Sequence, residues 1–137
     1  MRDLHNQIKI TKALAPASVT DNTAQVCTAV SNVGYDSCEY VINTGSLADA
    51  DATFTVLLED SADDVTYAAV SDDFLLGTEA AASFTFAADN SVRRLGYVGS
   101  AKWTRMTITP ANNASAAIFG VVVIQGAPIH APVANNS

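Results

Sequence analysis

Thr53-Phe54-Thr55-Val56-Leu57-Leu58-Glu59-Asp60 changes character from one residue to the next. Successive side chains of an extended chain point to opposite faces. Phe54, Val56 and Leu58 therefore share one side, and Thr53, Thr55, Leu57 and Glu59 the other. β-Branched and aromatic residues suit such a pleated, half-buried surface. The stretch reads as a strand with one face on a core. Residues 46–52 precede it as a polar connection. Ser61-Ala62-Asp63-Asp64 follows as a turn, because Ser and Asp side chains bond to nearby backbone.

The pattern recurs outward from this strand. Residues 25–30 read as a first strand, with Asn32-Val33-Gly34 as its turn. Residues 37–43 follow, with Cys38, Tyr40 and Ile42 on one face and Glu39, Val41 and Asn43 on the other. Further strands are expected at 65–70, 83–87, 92–98 and 102–109. In the last of these, Met106 and Ile108 are expected inside and Trp103 at a rim beside Arg105. Pro110 is expected to end it, since proline cannot donate to a ladder. Residues 116–125 are apolar almost throughout and are expected to lie centrally. The connection 71–82 is expected to fold Phe74, Leu75 and Leu76 beneath it, and no segment reads as a convincing helix.

About eight short strands with regular turn signals point to an all-β fold, a single-domain antiparallel β-sandwich. An eight-strand jelly roll is the specific expectation. Residues 1–22 read as an extended N-terminal arm, 23–126 as the sandwich and 127–137 as an extended C-terminal tail. In the arm Leu4, Ile8, Ile10 and Leu14 are spaced apolar residues, and Pro16 with the polar run after it stops any long helix. Such a segment either docks on a neighbouring subunit or forms an edge strand of its own domain.

Composition narrows the function classes. Charged residues are 15% of the 137 residues, against about 25% in ordinary soluble domains. A surface rich in Ala, Ser, Thr and Asn implies extensive contact with other protein. The net charge of −7 argues against direct nucleic-acid binding, which needs a basic face. Arg93, Arg94, Lys102 and Arg105 are the one local basic grouping. No stretch reaches the roughly 18–20 apolar residues that span a bilayer, so no membrane association is expected. The first residues lack the apolar run of a signal peptide, and synthesis in the cytosol is expected. Cys27 and Cys38 fall on what read as neighbouring hairpin strands. Two buried thiols are the expected state, with a facing pair as the alternative.

The sequence offers little for catalysis. His5 and His130 lie in the terminal stretches, away from any serine or cysteine nucleophile. Asp49, Asp51, Glu59, Asp60, Asp63, Asp64, Asp72 and Asp73 cluster in turns without the ligand order of an EF-hand. A loose calcium site at a sandwich edge is the alternative to solvated turns. Paired carboxylates converging across a cleft are not evident, and no phosphate-binding glycine loop is present. The chain is expected to be neither an enzyme nor a cofactor or metal protein. Exposed aromatics can stack on sugars; Trp103 and Tyr97 are the leading candidates, with Tyr35 and Tyr67 behind them.

Three stretches carry a resemblance. They are residues 47–60, residues 73–79, and Gly96-Tyr97-Val98-Gly99 through Lys102-Trp103-Thr104-Arg105-Met106-Thr107-Ile108-Thr109-Pro110, extended by Gly126-Ala127-Pro128 and Ala131-Pro132-Val133. Together they cover about two-thirds of the chain, and they form a pattern of strands and turns rather than a diagnostic motif. The chain resembles small jelly-roll capsid decoration (cement) proteins of tailed bacteriophages. The resemblance implies a structural virion protein on the capsid exterior, made in the host cytoplasm, binding the major capsid protein as a homo-trimer. It implies no catalytic residue. Leu4, Ile8, Ile10 and Leu14 of the arm and Ile129, Pro132 and Val133 of the tail are then expected to bury themselves on neighbours, and a chain lacking residues 1–14 to keep its sandwich. A head–tail connector or tail component, and a carbohydrate-binding module on the virion surface, are the alternatives.

Overall fold

The computed structural model describes residues 2–134. Two antiparallel sheets face each other. Sheet I has the order β1 (Lys9–Val19), β11 (Ala117–Pro128), β4 (Tyr35–Leu47), β9 (Val92–Tyr97) and β7 (Leu75–Leu76). Sheet II has the order β2 (Gln25–Val26), β10 (Trp103–Ala111), β5 (Thr53–Ser61) and β6 (Ala68–Ala69), with β3 (Val30–Ser31) also on β10 and β8 (Phe84–Thr85) also on β5. Along the chain, β1, β4, β9 and β11 of sheet I are interleaved with β2 and β3, β5, and β10 of sheet II, and the last strand returns beside the first. This is the jelly-roll arrangement.

The alternation seen in residues 53–60 does what it implies. Phe54, Val56 and Leu58 are buried, while Thr53, Thr55 and Leu57 face outward. Cys38, Tyr40 and Ile42 of β4 are buried opposite them; Met106 and Ile108 of β10 are buried beside them in sheet II, and Trp103 sits half-buried at the rim. At the centre, Phe54 and Phe84 of sheet II stack at 4.8 Å between centroids. Phe119 of sheet I meets both edge-on, at 5.6 and 5.5 Å. Offset stacks and edge contacts of this kind add to simple burial. Polar ties also cross the core. The Tyr40 and Thr104 hydroxyls are 2.8 Å apart, the Tyr97 hydroxyl donates to Asp60, and the buried Gln125 amide donates to Ser31 and Asn32.

Several elements depart from the sequence reading. Residues 9–19, left open by the sequence as docking arm or edge strand of this domain, are the edge strand β1, paired with β11 from Lys9↔Gln125 to Val19↔Ala117. A chain lacking residues 1–14 would therefore lose half of that strand and bare one edge of β11. Pro110 does not end its strand; it pairs with Phe54, and β10 runs to Ala111. Pairing of β10 with β2 stops at Ile108↔Gln25, so no neighbour on that side needs an N–H from Pro110. Only Ala68–Ala69 of residues 65–70 is strand. One turn of helix, α1 (Glu79–Ala82), stands in the connection read as helix-free. It has a local cause: the Thr78 side chain accepts from the Ala81 N–H, capping the first turn. The tail is strand as far as Pro128, and the last three residues expected in it lie outside the described residues.

The two cysteines are not hairpin neighbours. Cys27 follows β2 in sheet II and Cys38 lies on β4 in sheet I, because consecutive strands alternate between layers. Both are buried free thiols, and burial pushes each up to about 12. Unfolded thiols ionise near 9. Below pH 9 both states keep the proton and stability is insensitive to these groups. As pH rises from 9 towards 12, only the unfolded chain ionises, so stability falls, by roughly 1 kcal/mol per thiol for each pH unit. A thiol-specific disulfide reagent at pH 8 should label neither cysteine in the native protein and both in urea, and the denaturation midpoint should drop above pH 9. Rapid native labelling at pH 8 would contradict the burial.

Candidate functional site

Outward positions distinguish the two sheets. On sheet II they are polar: Thr53, Thr55, Thr107 and Thr109, with Arg105 paired to Glu59 at 3.2 Å. Leu57 and Val26 interrupt this, flanking Thr107 in register. On sheet I they are largely aliphatic. One row across the sheet is Ile10, Ile124, Glu39, Gly96 and Leu76. The next is Lys12, Val122, Val41 and Arg94, followed by Gly120, Asn43 and Val92. Ile118 lies beyond them on β11. Exposures of 44% for Ile10, 40% for Ile118, 58% for Leu76 and 65% for Val92 show how much of this apolar surface meets water.

The cause is local to β11. Ala117, Phe119, Val121 and Val123 face the core, and Ile118, Val122 and Ile124 face away. A strand apolar on both faces is the pattern of one covered on both sides, whereas a half-solvated antiparallel strand alternates apolar and polar. The described residues cover β11 on one side only. Above it runs a groove of about 220 Å³ lined by Leu14, Pro16, Gly45, Ile118, Gly120 and Val122. A β-carbon at Gly120 would lie 2.9 Å from Pro16 Cγ and 3.1 Å from the Leu14 carbonyl oxygen, so glycine lets β1 fold its irregular middle onto β11.

Electrostatics sharpen the contrast. Among outward-pointing strand residues of sheet I, Glu39 is the acidic one, against Lys12 and Arg94. Partial burial raises the Glu39 carboxyl above its usual value, and Arg94, 3.9 Å away, offsets this only in part. Two acids of the turns are engaged with backbone. Asp49 accepts from Ala114 and Asp51, and Asp63 from Thr66 and Val65, and these bonds hold both carboxyls below the ordinary range. Among the described residues, no three metal-ligating groups gather into a site.

The candidates taken from the sequence separate into groups. Ile10 belongs to the aliphatic face, Leu14 lines its groove while packing on the core, and Ile8 reaches within 3.9 Å of a β-carbon placed at Gly126. Leu4, Ile129, Pro132 and Val133 lie at one end, where the Val133 N–H donates to Asn6 and the Ile129 N–H to Gly34. Leu4 and Ile129 are exposed there. Tyr97 offers no ring to a sugar, since it is buried and its hydroxyl also accepts from Ala101. Trp103 remains half-exposed, near Arg105, whose guanidinium lies 4.0 Å from the Tyr67 ring centroid. The basic residues disperse: Arg93 donates to the Ala81 carbonyl, Arg94 faces out from sheet I and Arg105 from sheet II. Val41, Leu76, Val92, Ile118, Val122 and Ile124 were not singled out from sequence as surface residues, although the unbroken apolar run of β11 carried the signal.

No family model and no curated protein matches the sequence. Among solved structures, the chain is similar to the PBSX exported protein XepA, at 11% identity and a TM-score of 0.57, over 100% of this chain and 42% of that one. The chain thus spans less than half the length of XepA. A family 22 carbohydrate-binding module of Clostridium thermocellum Xyn10B aligns at 11% identity and a TM-score of 0.42, over 88% of this chain and 87% of that one. A pentameric capsid protein from metagenomic phage sequences aligns at 18% identity and a TM-score of 0.34, over 88% and 70%. At these identities the likeness concerns the β-sandwich fold alone. No helix among the described residues is long and apolar enough to cross a membrane.

Replacing Gly120 by Ala should push β1 from β11. Overpacking of this kind costs about 1–3 kcal/mol. Urea unfolding should show that loss, and hydrogen exchange should show faster β1 amides with β5 and β10 unchanged. Unaltered stability would mean that β1 does not press on Gly120.

Proposed function

We propose that this chain is a structural protein of a tailed-phage particle, a capsid decoration protein that stabilises the head by binding between its subunits. The observation that carries the reading is the uncovered aliphatic face of sheet I. A jelly roll that leaves one face of its most apolar strand open is suited to assembly, since burying that face against protein gains roughly 25 cal/mol per Å² before ordering costs. The second contact region is the end where Leu4, Ile129, Pro132 and Val133 gather. Repetition over a shell multiplies modest contacts, because each further attachment becomes intramolecular. The strand and turn resemblance to decoration proteins supports the same reading. The partner is the major capsid protein and the location the capsid exterior.

Quantitative mass spectrometry of purified particles tests this, with copies counted against the major capsid protein. Decoration predicts a ratio near one or a regular fraction of it. A handful of copies would transfer the protein to the neck or tail, and absence from particles would overturn the virion reading.

A further inference from the structure

We infer that the outer face of sheet II carries a binding site for uncharged polysaccharide, with the Trp103 ring as its stacking platform and the Arg105–Glu59 pair bonding the sugar hydroxyls. Three placements build the site. Trp103 points outward at the start of β10, in register with Ser31 of β3 and Ser61 of β5, and is half-buried. Arg105 lies two residues further along the same face, opposite Glu59, with its Nη2 3.2 Å from Glu59 Oε1. From β10 its side chain reaches past β5 to Tyr67, just before β6, where the guanidinium carbon lies 4.0 Å from the ring centroid. The Tyr67 hydroxyl is held in turn by Asp64. Glu59 and Tyr67 thus fix the guanidinium on the same face as the Trp103 ring.

Chemistry narrows the ligand. The C–H face of a pyranose is apolar and covers an aromatic face, while an indole keeps a polar N–H for its wet side. The hydroxyls around the sugar ring both donate and accept, so they need partners of both kinds. Arg105 has a second terminal nitrogen and Glu59 a second oxygen, and neither atom has a partner among the described residues. A donor and an acceptor held side by side match two neighbouring hydroxyls. The pair cancels its own charge, so an anionic or cationic ligand gains nothing there over a neutral one. Ala69, opposite Glu59, and Ala68 beside it are small and exposed, which leaves room above the pair. Apart from Leu57 and Val26, the outward positions further along β5 and β10 are threonines, so this face offers little apolar area to a protein. The outer faces of the two sheets point in opposite directions, and sugar on sheet II does not compete with attachment through sheet I.

Trp103 is the only tryptophan in the sequence, so its fluorescence reports on this site alone. The intact protein is titrated with dextran, laminarin and galactomannan, and with heparin as an anionic control. At least one neutral polysaccharide should move the emission to shorter wavelength and shield it from acrylamide, and heparin should do neither. Glu59→Gln should keep the emission of the free protein and weaken binding about ten-fold, as for one lost hydrogen bond to a charged group. Arg105→Met should do the same and serves if Glu59→Gln does not fold. Trp103→Ala, with an unchanged far-ultraviolet circular dichroism spectrum, should no longer be retarded in gels containing that polysaccharide. Leu57→Ala, elsewhere on the same face, should be retarded like the native chain. An emission unchanged by every neutral polysaccharide would overturn the site. So would an equal response to heparin, or native-strength binding by both Glu59→Gln and Arg105→Met. Phage particles that shield Trp103 with no sugar present would also overturn it, since protein would then cover the face. Sugar binding by a protein that is absent from particles leaves this site standing and removes the decoration reading.

Discussion

A strand with aliphatic side chains on both faces loses free energy on whichever face is left in water, at roughly 25 cal/mol per Å². β11 is such a strand, and the rest of the molecule is arranged around it. Its inner face supplies Phe119, Val121 and Val123 to the core, where Phe119 closes the aromatic cluster with Phe54 and Phe84. Its edges are occupied by β1 and β4 along almost its whole length. Its outer face has no counterpart within the described residues. The strand that organises the core thus also presents exposed aliphatic surface on its outer side.

The sides of the sandwich are closed by different means from its centre. Between β1 and sheet II, the Thr28 N–H donates to the Ala13 carbonyl. On the opposite side α1 takes the part of a missing strand segment. β8 and β6 pair with the two ends of β5, and between them the Val56 and Leu58 N–H groups donate to the Ser83 hydroxyl and the Glu79 carboxylate. Backbone donors at a sheet edge invite pairing with other chains unless something occupies them. These contacts occupy backbone donors along β5, while the outer face of sheet I stays open to solvent.

Residues 53–60 and 37–43 could be read directly, because one solvated face and one buried face impose strict alternation, and Trp103 could be placed at a rim for the same reason. β1 could not. Its register shifts between Lys12 and Leu14 and again between Leu14 and Ala17, so the two-residue period fails and Pro16 looks like a terminator. The strand through Pro110 was hidden by a rule that applies to central positions, whereas the relevant flank of β10 is open there. Cys27 and Cys38 were assigned to one hairpin because sequence proximity suggests adjacency, but the jelly-roll path sends successive strands to opposite layers. The run at 116–125 was correctly placed in the sheet interior. Its outward residues gave no sign of their exposure, since a strand covered by its own chain and one covered by a neighbour have the same composition.

If the outer face of sheet I is an assembly surface and that of sheet II is not, assembly will change solvent access on one face alone. Carbene footprinting with residue-level mass spectrometry, comparing the assembled protein with the dissociated chain, tests it most directly. Ile10, Leu76, Val92 and Ile118 should lose most of their labelling on assembly, while Leu57 and Trp103 should label equally in both states. Protection of Leu57 and Trp103, with Ile118 and Val92 still labelled, would contradict it.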